Sequence, residues 1–240
     1  MEIQRRCLPT IDNSRNVYYT IRDAHIWRYF MHILILILEL IGTIAFSVSG
    51  AMTGIKKNMD IFGVMILGLV TAVGGGVIRD LVLGITPPAT FQDPVYATTA
   101  LITAVIVFLP FIQKLLHRYH SAYDRLLFAM DTLGLGIFTV IGVRAAFALS
   151  GDYGLFLMTF VGVITGVGGG VIRDVLAGNT PYIFVKHIYA CASLAGALVT
   201  TLLWKVLPSL WAMAIGLLVV VVIRCLSAHF RWSLPKAHVE

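Results

Sequence analysis

Apolar residues fill seven stretches of the 240-residue chain, at 33–53, 61–83, 95–112, 126–149, 155–177, 188–207 and 210–228, with polar and basic residues concentrated in the gaps. A soluble helix needs a polar face, and these segments have almost none. Crossing a bilayer takes about 17–25 apolar residues. The pattern therefore predicts an all-α membrane protein of seven transmembrane helices, the third of them short. Two of the stretches carry an interruption, "TAVGGGVIRDLVLG" at 71–84 and "TGVGGGVIRDVLAG" at 165–178.

These two segments are identical at 10 of 14 positions. The likeness extends outward: Gly42, Phe46 and Gly50 match Gly134, Phe138 and Gly142, and Thr86-Pro87 matches Thr180-Pro181. Phe91 and Tyr96 fall roughly on Phe184 and Tyr189, and Glu39 falls opposite Asp131. The chain thus reads as a first three-helix repeat at 32–112, a basic linker at 113–125, a second repeat at 126–208, a seventh helix at 209–228 and a tail at 229–240. Residues 1–31 read as a polar N-terminal tail, with Met31 a candidate start. Three crossings return the chain on the opposite side of the membrane, so the second copy must be inverted, an arrangement common in transporters.

Charge orients the bundle. Lys56, Lys57, Lys114, Arg118, Arg125, Lys186, Arg224, Arg231 and Lys236 fall on one side, against Arg144 and Lys205 on the other. The positive-inside rule then puts the C-terminus in the cytoplasm and the N-terminus outside.

Three consecutive glycines each lower helix propensity by about 1 kcal/mol relative to alanine. They predict that helices two and five are broken at Gly74, Gly75, Gly76 and at Gly168, Gly169, Gly170. A break inside a membrane must be buried in protein or line a wet cavity. One reading makes these glycines, with Thr71 and Thr165, the lining of a path or binding site; the other makes them packing residues. The charges at membrane depth are Glu39, Arg79, Asp80, Asp131, Arg173 and Asp174, with a formal balance of −2. Such groups mark a pathway or pair with one another. Each arginine is expected to reach a carboxylate on another helix, Glu39 or Asp131, and to hold the structure open or to face the path. Arg144 is expected at the outer surface.

Composition agrees: 58% of residues are hydrophobic and 12% charged, with a mean hydropathy of +0.88. The net charge of +6 comes without a basic stripe interleaved with aromatics, so nucleic acid is not an expected partner. Cys7, Cys191 and Cys225 have no metal-ligand spacing. No nucleophile–histidine–acid set or phosphate-binding loop is present. The expectation is neither an enzyme nor a cofactor-binding protein, with no metal beyond a permeating monovalent cation.

The doubled "GGGVIRD" within two three-helix repeats, followed by a seventh helix, resembles the bacterial relatives of the trimeric intracellular cation (TRIC) channels, membrane proteins with two glycine-transporter-type domains. The resemblance covers about residues 32–230. It implies a homotrimer in a bacterial inner membrane. Each protomer would have its own pore, lined by helices two and five kinked at Gly74–Gly76 and Gly168–Gly170, passing K⁺ and Na⁺. The animal members' Lys-Glu-Val motif is absent, so their lipid and calcium regulation is not carried over; basic segments next to the membrane leave lipid headgroups as expected contacts. Three functions stay open: a monovalent-cation channel, a secondary transporter of a small amino acid such as glycine, and a scaffold whose glycines only pack.

Overall fold

A computed structural model describes residues 14–118, 120–149, 154–185 and 188–232. Residues 1–13 of the expected tail, Lys186 and the C-terminal segment with Lys236 lie outside them. The described residues form helices α1 (Ser14–Lys56), α2 (Ile61–Val82), α3 (Ala89–Gln92), α4 (Val95–Phe108), α5 (Pro110–Arg118), α6 (His120–Ala148), α7 (Leu155–Leu176), α8 (Tyr182–Val185), α9 (Tyr189–Leu203) and α10 (Ser209–His229). No strand occurs among them. The second half of the expected N-terminal tail is thus helical, and the expected linker at 113–125 belongs to α5 and α6 wherever it is described.

Among the described residues, five segments are long and apolar enough to cross a membrane: Met31–Lys56, Ile61–Val82, Tyr123–Ala148, Leu155–Leu176 and Ser209–His229. Val95–Phe108 and Tyr189–Leu203 have 14 and 15 residues. At about 1.5 Å per residue they fall short of a hydrocarbon core of about 30 Å.

The chain divides into two compact units, Met1–Leu38 and Glu39–Glu240. Within the second unit the elements correspond in two sets, the remainder of α1 with α2, α3 and α4 against α6, α7, α8 and α9. The motif's final glycine has the same task in both sets. Gly84 (φ 74°) and Gly178 (φ 64°) end α2 and α7 in the left-handed region, where a side chain is strained. That turn lets Ile85 N–H reach the Asp80 carbonyl, and Asn179 N–H the Asp174 carbonyl, both at 2.8 Å.

The expected breaks at the glycines are absent: α2 is helical throughout Ile61–Val82 and α7 throughout Leu155–Leu176. Close approach of α2 and α7 accounts for the glycines instead. A methyl group on Gly75 would fall on the Thr165 carbonyl oxygen, and one on Gly169 on that of Thr71. The contact is reciprocal, as a two-fold relation between the halves requires. Elsewhere Phe46 packs over Gly134 and Phe138 over Gly42, with the two rings 5.3 Å apart.

Six buried threonine hydroxyls are satisfied within their own helices. Thr53, Thr71, Thr139, Thr165, Thr200 and Thr201 each donate to the carbonyl four residues back, at 2.5–2.8 Å. Asp60 caps α2 by accepting the Gly63 N–H at 2.8 Å. Asp60→Ala should cost about 1 kcal/mol, read as a small drop in the thermal midpoint of the detergent-purified protein with the oligomeric state unchanged.

Candidate functional site

In each copy of Val-Ile-Arg-Asp the arginine hydrogen-bonds the aspartate beside it. Arg79 Nε lies 2.7 Å from Asp80 Oδ1, and Arg173 Nε lies 2.9 Å from Asp174 Oδ1. Neighbouring positions point about 100° apart on a helix, but the arginine side chain is long enough to fold back. Each aspartate spends its other oxygen on the next short helix. Asp80 Oδ2 accepts the Ala89 N–H of α3, and Asp174 Oδ2 accepts the Tyr182 N–H of α8, both at 2.9 Å. The motif therefore latches the returning chain to the end of the glycine helix.

From there the two halves diverge. In the second half the expected cross-helix pair forms: Arg173 Nη1 donates to Asp131 Oδ1 of α6 at 2.6 Å and to Ser49 Oγ of α1 at 2.5 Å. The Arg173 guanidinium stacks 4.8 Å from the Tyr182 ring. Arg224 of α10 approaches Asp131 Oδ2 at 3.5 Å and sits 4.8 Å from both the Phe128 and Tyr189 rings. Arg173, Asp131 and Asp174 are at most 1% exposed. Burial of this kind keeps ion pairs strong because water cannot screen them.

In the first half the expected Arg79–Glu39 bond is not made. Glu39 Oε2 accepts instead from the Tyr96 hydroxyl, and the Arg79 side chain remains 15% exposed. A cavity of about 80 Å³ opens here, lined among others by Glu39, Thr43, Gly76, Arg79, Tyr96 and Phe138. Among the described residues, every other intramembrane carboxylate touches an arginine; Glu39 is bonded to a tyrosine.

Sequence reasoning missed several participants. Arg224, expected as a surface topology charge, is 3% exposed. Arg144, expected at the outer surface, is half-buried within electrostatic range of Glu39 and Arg79. Adding these two cations to the six groups turns the expected balance of −2 into zero. Ser49, Tyr96 and Tyr189 carried no signal beyond their place in the repeat. Thr71 and Thr165, expected on a path, are fully buried beneath Gly50 and Gly142. Of the six glycines, Gly76 lines the small cavity, whereas Gly75 and Gly169 lie in the α2–α7 contact.

A second, larger cavity of about 510 Å³ lies against Lys56, Asp124, Asp131, Tyr182, Arg224 and Arg231. Lys56 lies seventeen positions beyond Glu39 on α1, or about 25 Å along a helix. The two cavities therefore belong to opposite ends of the bundle.

Buried ion pairs among five apolar helices long enough to cross a bilayer define a multi-pass membrane protein. A model of the glycine transporter family matches the chain twice, at residues 36–111 and 128–205, and the chain belongs to that family. It is 40% identical over 200 residues to a UPF0126 membrane protein of Deinococcus radiodurans, covering 82% of this chain and 89% of the relative. It is 36% identical over 200 residues to the UPF0126 inner membrane protein YadS of Escherichia coli K12, covering 82% and 93%. Among solved structures, a TRIC cation channel studied for conductance superposes with a TM-score of 0.75 at 35% identity, covering 85% of this chain and 97% of that one. The TRIC channel orthologue from Rhodobacter sphaeroides gives a TM-score of 0.75 at 34% identity, covering 83% and 99%. The expected resemblance is thereby borne out, and the fold is that of the TRIC channels.

Proposed function

We propose that the chain is a channel for monovalent cations, K⁺ and Na⁺, with one pore in each protomer of a homotrimer. In this reading seven helices cross the membrane as two inverted three-helix repeats plus one, α4 and α9 being the short crossings. Lys56, Arg231 and the cavity they line face the cytoplasm, which leaves the N-terminus outside. The solved relatives named TRIC cation channels support the activity. The carrying observation in this chain is Glu39, a carboxylate beside a cavity inside the spans with no arginine bonded to it. A cation entering from that end meets Glu39, Thr43, Tyr96 and the backbone at Gly76. The corresponding position of the other half, Asp131, is closed off by Arg173 and Arg224, so Arg173 holds the structure while Arg79 borders the path.

The test is K⁺ flux and single-channel current from the purified protein in liposomes, with ion substitution. Glu39→Gln should lower K⁺ flux on the order of tenfold, since one charge a few ångströms from an ion is worth more than 1 kcal/mol away from bulk water. Unchanged current and selectivity in that variant would remove Glu39 from the path. A second reading has its own support: Glu39 and Arg79 in one small cavity offer complementary charges to a zwitterion, which suits a carrier of glycine or a similar amino acid. Saturable counterflow of labelled glycine without unitary currents would establish the carrier in place of the channel.

A further inference from the structure

The larger cavity has a feature that neither the ion pairs nor a cation path uses. Its floor is Arg224, 3% exposed and clamped between the Phe128 and Tyr189 rings. Aromatic faces hold a guanidinium in place but accept little of its hydrogen bonding, and it has five N–H donors. Arg224 Nε has no partner, and the contact to Asp131 is long at 3.5 Å. Asp131 directs its short bond to Arg173, at 2.6 Å.

The cavity is about 510 Å³, within the range of ligand sites. Asp124 at its rim and Asp131 at its floor are seven residues apart on α6, which makes it about 10 Å deep. Its lining holds three cations, Lys56, Arg224 and Arg231, and two carboxylates, Asp124 and Asp131. Both carboxylates are engaged, Asp131 by Arg173 and Asp124 by Lys56 at 3.7 Å. Arg224 at the bottom and Arg231 at the mouth are left in excess. The Ser227 hydroxyl and the apolar walls of Leu127 and Ala228 complete it.

We propose that this cavity binds a phosphate group, its oxygens taking the Arg224 guanidinium at the floor with Arg231 closing over the mouth. A planar guanidinium with open donors suits a phosphate, which accepts two parallel N–H bonds. The mouth lies where α1 and α10 end, so the phosphate can belong to an anionic phospholipid headgroup or be free in solution.

Native mass spectrometry of the full-length protein from mixed micelles distinguishes the sources, using phosphatidylglycerol against phosphatidylcholine. Calorimetric titration with inorganic phosphate at constant ionic strength covers the free ion. Selective retention of phosphatidylglycerol identifies the lipid; saturable phosphate binding identifies the ion. In either case Arg224→Gln should weaken binding about tenfold or more, while Lys205→Gln at the far end leaves it unchanged. Ala228→Phe fills the cavity without altering charge, and should abolish binding even where Arg224→Gln does not yield folded protein. Equal retention of both lipids with no phosphate binding overturns the site, as does binding that survives Ala228→Phe.

Discussion

Arg173→Ala should prevent the protein from being recovered folded, or lower its stability by about 3–5 kcal/mol, the usual consequence of stranding buried charge. The variant leaves Asp131 with only two long contacts, Arg224 and the Ser49 hydroxyl at 3.5 Å each, and leaves Asp174 with no cation, both carboxylates at 1% exposure. Ser49 also loses the shorter of its two hydrogen bonds, the one at 2.5 Å from Arg173. Arg79→Ala should cost less, because Arg79 borders a cavity and Asp80 keeps the Ala89 N–H at 2.9 Å. Thermal unfolding in detergent, followed by size exclusion, measures both. Equal losses in the two variants would refute the division into a locked half and an open one.

Gly75→Ala is the second variant with a large expected effect. The added methyl falls on a backbone carbonyl, that of Thr165, which has no rotamer to retreat into. The α2–α7 crossing must widen, at about 1–3 kcal/mol or more, despite alanine's better helix propensity. Gly169→Ala should behave alike against Thr71. Gly76→Ala is the control: its methyl would lie 3.9 Å from Arg79 Nη2 and should be tolerated. The measurement is the yield of folded oligomer and its thermal midpoint. A Gly75→Ala protein as stable as Gly76→Ala would mean that the crossing is not tight.

Much of this architecture was legible in the chain. The doubled motif gave the two sets of helices, and the rule that intramembrane charges pair anticipated Arg173 with Asp131. The expected helix break fails because glycine propensity is a property measured in water. In a bilayer no solvent competes for the backbone bonds, so α2 and α7 stay helical and exploit the missing side chains for contact. The difference between the halves was illegible for a local reason. Ser49, which bonds Arg173, corresponds to Ile141, which offers Arg79 nothing. Arg224 comes from α10, which has no counterpart in the repeat, so no internal comparison could reveal it.

The neighbouring Arg-Asp pairs bear on how the protein is made. An arginine or aspartate in an inserting helix carries a cost that reaches about 2.5–3.5 kcal/mol at the helix centre. Because Arg79 closes on Asp80 and Arg173 on Asp174 within single helices, each glycine helix carries its own counter-charge into the lipid as it leaves the ribosome's exit path. Asp131 has no such companion on α6. Its neutralisation waits for α7 and is completed only when α10, synthesised after α7, brings Arg224 alongside. The order of synthesis is thus also an order of charge compensation, and a chain truncated before α10 reaches the membrane with its central cluster one cation short.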